Sequence, residues 1–369
     1  MFAKDPVNTS RQEEIDLAKA VFVVQLAIIH MFVECTTEKG LYFGLPYFFD
    51  SITGGPFGAP MTIFAMGIGL NYSRRREPKL LLKRGLITWM IGWLHNICKV
   101  VIPSIIGYAV TGDGTRYVIR TFYLAFGNDL LQFAGLAMMV MAGLEALKFT
   151  KEKTLIFGIV LLIIGNLTDG ADFHQPVVNV IMGHFIGVDV PGELVVSDFP
   201  LFFWFSVYAL GQIFGYYLMR MTDKDKFYRI VTLPAILITV PALIYEYTHL
   251  TSMMGGPGAN VFYHPAIYDV VLCMGAVFMT FGIDYFIMKH LSENIKDHIV
   301  RISRNITAIY FFQWVLVWWV ADLFIVLIKG DPYLNVPTTL IIGVILSILS
   351  LQLGDKWMNF YSNRKNGRS

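Results

Sequence analysis

Long apolar segments separated by short polar ones run along almost the whole chain. Ten of them approach the length of a helix that crosses a bilayer, about 20 residues. The pattern therefore predicts an all-α polytopic membrane protein with about ten transmembrane helices, forming a single integral-membrane domain over residues 1–369. The predicted spans are residues 17–35, 56–72, 85–109, 125–147, 154–168, 200–219, 230–247, 266–288, 306–328 and 338–355.

The composition supports this interpretation and orients the helices. Only 15% of the residues are charged and 55% are hydrophobic, whereas about 25% of the residues in a soluble domain are charged. Most of the 29 Lys and Arg residues fall in every second loop, beginning with the amino-terminal segment. Because basic residues favour cytoplasmic loops, both termini are predicted to be cytoplasmic. No basic patch interleaved with aromatic residues suggests nucleic acid, so the expected partner is membrane lipid.

The first apolar segment carries an unusual polar stripe. On a helix, Lys19, His30 and Glu34 fall within about 60° of one another, with Asp16 on the same side. Ionisable groups inside a membrane are costly and usually face a cavity or a partner helix. His30 is predicted to be a catalytic base or nucleophile, oriented by Glu34 one turn later. The alternative is a histidine that only packs against a neighbouring helix.

Three further spans carry polar residues that could contact a substrate. In the third span, His95 and Lys99 lie one turn apart beside Asn96, and Glu34 is the expected partner of Lys99. Snorkelling of Lys99 to an interface is the alternative. Helix pairing is the alternative for the polar residues of the fourth and ninth spans. The predicted substrate-binding set is His95, Asn96, Lys99, Asp129, Gln132 and Gln313.

The densest basic cluster is the predicted inner loop over residues 73–84. Its Arg and Lys side chains suit the phosphates of a cytoplasmic cosubstrate. The other interpretation is a topology signal that also contacts anionic lipid. With Lys19 from the first span, the predicted cosubstrate-binding residues are Lys19, Arg74, Arg75, Arg76, Lys83 and Arg84.

Several short motifs, in order along about 300 residues, resemble the transmembrane acyltransferase superfamily. This group includes acyltransferase family 3 and the heparan-α-glucosaminide N-acetyltransferase-like proteins. Asp16, Lys19 and His30 keep the family-3 spacing of Asp, Arg and His, with Lys in place of Arg. Segments similar to the other members are Pro60–Gly67, Lys83–Arg84 with Gly92 and Asn96, Asp129–Gln132, Ser197–Trp204 with Gly211 and Gly215, and Asn305–Tyr310.

The resemblance implies transfer of an acyl group, commonly acetyl, from cytoplasmic acyl-CoA to a carbohydrate or glycolipid on the outer side. His30 would be the essential histidine, and the basic inner face would hold the CoA phosphates. Members of the heparan type carry their essential histidine further on, towards the first outer loop, and this chain has no histidine between residues 31 and 94. The family-3 spacing therefore selects His30.

These observations favour a membrane O- or N-acyltransferase that modifies an envelope glycan, in a bacterial plasma membrane. The competing class is a proton-coupled secondary transporter with a His30, Glu34, His95 and Lys99 relay. Transporters often have paired halves with broken helices, and this sequence has no such pairing. The three cysteines are widely spaced and no metal site is evident. The acceptor, the acyl chain and the oligomeric state stay open.

Overall fold

The fold is all-α. The structure is a computed structural model that describes residues 1–73, 76–188, 197–249 and 263–366. These residues contain no β-strand. The principal helices are α1 (Glu13–Cys35), α2 (Ala59–Tyr72), α3 (Pro78–Thr111), α4 (Arg120–Ala125), α5 (Leu130–Ala146), α6 (Lys151–Leu167), α7 (Pro176–Met182), α8 (Leu201–Leu218), α9 (Lys224–His249), α10 (Ile267–Met288), α11 (Glu293–Arg304), α12 (Ile306–Lys329) and α13 (Val336–Asn366).

Each of the ten predicted apolar segments overlaps one of these helices over most of its length. In the described part of the chain, seven helices are long and apolar enough to cross a membrane, namely α1, α3, α8, α9, α10, α12 and α13. The other three predicted spans form the shorter helices α2, α5 and α6, with 14, 17 and 17 residues. The second predicted span begins at residue 56, just before α2, and short helical turns between Glu38 and Gly54 precede it. The all-helical membrane architecture is confirmed, and the count of ten spans stays a prediction.

Large apolar side chains on the outward faces of the helices support a bilayer environment. Leu237 and Ile238 on α9 are 64% and 63% exposed, and Ile341 on α13 is 60% exposed. A soluble protein rarely exposes such continuous apolar surface. The protein is therefore an integral membrane protein.

Glycines set the closest helix crossing. A Cβ atom added at Gly67 of α2 would lie 2.1 Å from the backbone oxygen of Tyr208 in α8. A Cβ atom at Gly211 would lie equally close to the backbone oxygen of Phe64. Two helices joined through small residues in this way pack backbone against backbone. The Pro60–Gly67 and Gly211 motifs therefore build the scaffold of the site.

Two long helices contain π-helical segments at the same level. Ile97–Val101 interrupts α3, and Trp319–Ile325 interrupts α12. The Trp319 indole N–H donates to the Cys98 carbonyl oxygen at 2.9 Å and joins the two segments. Such segments are frequent at functional sites because the extra residue per turn re-aims a side chain. Here the α3 segment contains Lys99.

At its amino-terminal end, α1 is fixed by paired charges. Asp16 accepts hydrogen bonds from Arg11 and from the Ser303 hydroxyl, the latter at 2.5 Å. Glu14 lies 2.7 Å from the Lys224 ammonium group and accepts a hydrogen bond from Tyr228 at 2.9 Å. Beside them, the first residues of the chain cross to the loop between α8 and α9. There the amide N–H groups of residues 3 and 7 donate to the carbonyl oxygens of residues 220 and 219.

The loop between α6 and α7 belongs to the predicted outer face. Hydrogen bonds from the Asn179 side chain and the His174 backbone N–H lower the pKa of Asp172 in this loop. Residues 189–196 and 250–262 lie outside the described part of the chain.

Candidate active site

Asp129 is the anchor of a buried polar cluster between α1, α3, α5 and α12. It caps the amino terminus of α5, where its Oδ1 accepts from the Leu130 N–H at 2.6 Å. The same oxygen accepts from the Tyr310 hydroxyl at 2.6 Å, and Oδ2 lies 2.9 Å from the Lys99 ammonium group. A carboxylate with this many donors is held in one orientation and stays charged at low energetic cost.

His30 belongs to the same cluster through two neighbouring residues of α12. Its Nδ1 is hydrogen-bonded to the Gln313 side-chain amide at 2.6 Å. Its ring stacks on Trp314, with ring centroids 3.4 Å apart and an interplanar angle of 19°. The Trp314 indole N–H donates to the Tyr310 hydroxyl oxygen at 3.1 Å. We call His30, Lys99, Asp129, Tyr310, Gln313 and Trp314 the central polar cluster.

The close ion pair of Lys99 is with Asp129 rather than with the expected partner, Glu34. The π-helical segment and the capping position bring Lys99 and Asp129 together, and the ammonium group also lies over the Trp314 ring, 4.7 Å from its centroid. Glu34 lies one turn beyond His30 and interacts electrostatically with Asp322, Arg120 and Lys99. Arg120 and Asp322 form their own ion pair at 2.9 Å.

The remaining predicted substrate-binding residues are buried between α3 and α5. Asn96 donates to the carbonyl oxygens of Ala125 and Gly127, both at 3.1 Å. The Gln132 side chain packs against Gly92, where an added Cβ atom would lie 2.8 Å from its amide carbon. His95 Nδ1 is 3.9 Å from Asp129 Oδ2. These contacts fix the two helices, and substrate binding by these residues stays a prediction.

A cavity of about 350 Å³ adjoins the central polar cluster, and we call it the main cavity. Its walls are largely apolar, with two cationic side chains among them. It is lined by Lys19, Phe22, Val23, Thr62, Ala65, Met66, Gly69, Leu70, Arg84, Thr88, Ile91, Leu130, Leu131, Ala134, Met138, Tyr208, Ile306, Thr307 and Tyr310.

The cations and the central polar cluster lie at opposite ends of the main cavity. Helices α3 and α5 are antiparallel, since Gly85 meets Met139 whereas Gly92 meets Gln132. Arg84 is therefore level with the middle of α5, and Asp129 is level with a point on α3 about 15 Å further along. Tyr310 is the member of the central polar cluster that lines the cavity.

The predicted cosubstrate-binding residues separate into groups. Lys19 and Arg84 line the main cavity, and Arg84 donates to the Ser73 hydroxyl at 3.1 Å. Arg76 bonds the Asn71 carbonyl oxygen and lines a second cavity of about 160 Å³. Lys83 is exposed and does not line the main cavity. Arg74 and Arg75 lie outside the described residues.

Tyr310 and Trp314 are the members of the central polar cluster that sequence reasoning did not select. Tyr310, Gln313 and Trp314 are spaced so that they share one face of α12. Hydrogen-bonding groups repeated at this spacing in an otherwise apolar span are the signal that could have identified them. Within the described ranges, no group of three or more His, Cys, Asp and Glu residues could hold a metal ion.

Comparison with known proteins supplies the family. Neither curated proteins nor solved structures give a significant match to the chain. The family model of the heparan-alpha-glucosaminide N-acetyltransferase catalytic domain matches residues 11–245, more than half of the chain. The matched part contains His30, Lys99 and Asp129 together with both cations of the main cavity, and it does not favour the transporter alternative. The resemblance to the transmembrane acyltransferases is thus confirmed, and the chain belongs to the heparan-alpha-glucosaminide N-acetyltransferase catalytic family of membrane acetyltransferase-like proteins.

Proposed function

We propose that the protein moves an acetyl group from cytoplasmic acetyl-CoA to a carbohydrate or glycolipid on the extracytoplasmic side of a bacterial plasma membrane. The observation that carries the proposal is the main cavity, with Lys19 and Arg84 at one end and the central polar cluster at the other. Such a cavity suits a donor that is anionic at one end and reactive at the other.

The main cavity has the character of a site for an acyl-CoA. Its volume, about 350 Å³, lies within the range of small-molecule pockets, roughly 300–1,000 Å³. The apolar wall accommodates the pantetheine arm. Lys19 and Arg84 meet the phosphates at the predicted cytoplasmic end, where the guanidinium fork and the ammonium charge both suit phosphate oxygens.

His30 is the residue that carries the chemistry. As a general base, it takes the proton of the acceptor hydroxyl or amine while that atom attacks the thioester carbonyl carbon. The carbon–sulfur bond breaks, and the CoA thiolate leaves and takes up a proton. As an acyl carrier, the imidazole attacks first, CoA leaves, and the acceptor then takes the acetyl group from the histidine.

Gln313 decides which imidazole nitrogen is available. If its amide N–H donates to Nδ1, the neutral ring carries its proton on Nε2, which cannot then act as a base. If the amide presents its oxygen to an Nδ1–H group, Nε2 has a free lone pair. Rotation of the terminal amide by half a turn exchanges these two states with the same atoms in place. The active form in this proposal is the second.

The acceptor approaches from the opposite end of α1. At 1.5 Å per residue, His30 lies about 16 Å beyond Lys19 along the helix, and Glu34 lies one turn further towards the predicted outer side. Asp198, just before α8, interacts electrostatically with Asp129 and Lys99. We assign Glu34 to orienting the acceptor beside His30. His95, Asn96 and Gln132 support the wall behind it.

The test uses the full chain purified into lipid nanodiscs, with acetyl-CoA and a panel of neutral and amino sugars. Release of free CoA thiol is followed for the wild type, for His30→Ala and for the control His298→Ala, an exposed histidine on α11. We expect turnover that His30→Ala abolishes and His298→Ala retains. Wild-type turnover in His30→Ala would remove the proposed role of His30.

Mass spectrometry of the protein after exposure to acetyl-CoA alone distinguishes the two chemistries. An acetyl group on the peptide that contains His30 indicates an acyl carrier, and turnover without it indicates a base. Absence of both acetyl-CoA binding and turnover with every acceptor would contradict the proposed function.

A further inference from the structure

Tyr310 belongs to two places at once. Its ring is part of the wall of the main cavity, and its hydroxyl is part of the central polar cluster. The hydroxyl donates its one proton to Asp129 Oδ1 at 2.6 Å and accepts from the Trp314 indole N–H at 3.1 Å. The phenol therefore has a defined orientation, and its proton is not directed into the cavity.

Trp314 connects the Tyr310 hydroxyl to the His30 imidazole. Its N–H is held by Tyr310 and its ring stacks on the imidazole with centroids 3.4 Å apart. Lys99, which is itself paired with Asp129, lies over the same indole. The adjacent Gln313 holds His30 Nδ1 at 2.6 Å. A flat ring that is stacked on one side and hydrogen-bonded in its plane has little rotational freedom.

We infer that Asp129, Tyr310 and Trp314 form a positioning relay that sets the orientation of the His30 imidazole and the wall at the thioester end of the main cavity. The inference rests on the proposed function. The relay transfers no proton: Asp129 fixes the Tyr310 hydroxyl, Tyr310 fixes the indole, and the indole fixes the imidazole. Tyr310 and Trp314 are thus positioning residues for the acyl transfer, as Gln313 is, and they act on the reacting residue His30.

Tyr310→Phe removes the hydroxyl and keeps the ring in the cavity wall. Because misplacement of a reacting group by about 1 Å costs on the order of 100-fold in rate, we expect kcat to fall by about 10- to 100-fold. The KM for acetyl-CoA stays near the wild-type value since the cavity wall is kept. Tyr216→Phe is the matched control, because the Tyr216 ring contacts Lys151 and Arg220 away from the main cavity. A hydroxyl that only stabilises the fold would lower the folded yield and leave kcat per folded molecule unchanged.

A second measurement reads the orientation of His30 without turnover. Diethyl pyrocarbonate modifies accessible imidazoles, and mass spectrometry gives the rate for each histidine. We expect His30 to react several-fold faster in Tyr310→Phe than in the wild type. His264, which is buried and 2.7 Å from Asp169, serves as the internal reference and keeps its rate. Faster reaction of both histidines would indicate loss of fold and would overturn the inference.

Trp314→Phe keeps a ring under His30 and removes the indole N–H. If the relay acts as one unit, the double variant Tyr310→Phe/Trp314→Phe is no slower than the slower single variant. Additive losses together with an unchanged His30 labelling rate would overturn the relay. Absence of acyl transfer in the wild type would contradict the proposed function instead, and the labelling experiment would still decide whether Tyr310 orients His30.

Discussion

The two ends of α1 both bury ionisable residues, but they use them differently. At the amino-terminal end, Asp16 is paired with Arg11 and Ser303, and Glu14 is paired with Lys224 and Tyr228. Around His30, by contrast, some hydrogen-bonding capacity is unused. Among the described residues, neither the Gln313 amide oxygen nor either polar atom of the Gln132 side chain has a partner.

The paired groups at the amino-terminal end hold helices together, and we call Arg11, Glu14, Asp16, Lys224, Tyr228 and Ser303 the structural lock. The unpaired atoms around His30 suit the substrate site that we propose there. A buried polar group without a hydrogen-bond partner lowers the stability of the fold by about 1–3 kcal/mol. Such groups therefore persist where a bound substrate or a change of hydrogen bonding supplies the missing partner. The sequence places Asp16, Lys19, His30 and Glu34 on one face of α1, but in the structure they belong to different sites. Asp16 belongs to the structural lock, Lys19 lines the main cavity, and His30 belongs to the central polar cluster.

The largest effect on turnover is expected at His30, and its absence would contradict the comparison between the two ends of α1. His30→Ala should lower kcat by about 100- to 10,000-fold, the contribution typical of a positioned acid–base group. Binding of acetyl-CoA should be retained, because His30 does not line the main cavity. Steady-state kinetics and equilibrium binding measure the two quantities. A variant that loses donor binding together with kcat would place His30 in the cavity wall instead.

Lys19 and Arg84, the two cations of the main cavity, test whether their end of the cavity binds the phosphates of the donor. Lys19→Ala and Arg84→Ala should each raise the KM for acetyl-CoA by about 10- to 100-fold, since a lost charge-assisted hydrogen bond is worth about 1.5–3 kcal/mol, with kcat unchanged. With acetyl-pantetheine, which lacks the nucleotide phosphates, the variants should match the wild type. Lys79→Ala, an exposed lysine on the same helix as Arg84, is the control. Equal losses with both donors would mean that these cations do not contact phosphate.

Gln313 tests the hydrogen-bonding state of His30. Gln313→Glu presents only acceptor oxygens to Nδ1–H and should keep kcat near the wild-type value, whereas Gln313→Leu should lower it by about 10-fold, the effect of one lost hydrogen bond of about 1.4 kcal/mol. The measurement is kcat for the two variants in parallel. A fast leucine variant and a slow glutamate variant would reverse the assignment of the imidazole nitrogens.

The smallest effect on turnover is expected in the structural lock. Asp16→Asn keeps an acceptor for Ser303 but loses the charge paired with Arg11, so the free energy of unfolding should fall by about 1 kcal/mol. The specific activity of the folded protein should not change. Thermal unfolding in nanodiscs and kinetics on the folded fraction separate the two. A large loss of kcat at wild-type stability would mean that Asp16 takes part in the reaction and does not only stabilise the fold.

Hydropathy and composition were sufficient for the class of fold. Runs of apolar residues exclude water from a helix of bilayer length whatever their detailed packing, so every predicted segment is helical. Helix ends were harder to predict, since α2 begins at Ala59 rather than at residue 56 and α5 begins at Leu130 rather than at residue 125. The amphipathic helix α11 has too few apolar residues to register as a span.

Prediction of the site was limited by contacts between distant segments. His30, Asp129 and Gln313 could be selected individually, because each is a polar group in an apolar span. Their partners could not, as the Lys99 pair shows: the choice of Asp129 over Glu34 depends on a π-helical segment and on the crossing of α3 with α5. Tyr310 and Trp314 look like ordinary aromatic residues until α12 is placed beside α1.

The tie between the first residues of the chain and the loop after α8 has a consequence for biosynthesis. The hydrogen bonds from residues 3 and 7 reach the carbonyl oxygens of residues 220 and 219, and the Thr222 N–H donates back to residue 1. None of these contacts can form until the ribosome has synthesised about 220 residues. Helices α1 to α8 must therefore be synthesised before the amino-terminal segment docks. The hydrogen bonds between the amino-terminal segment and the loop after α8 therefore form late. By then, the residues of α1 to α8 that line the main cavity have all been synthesised.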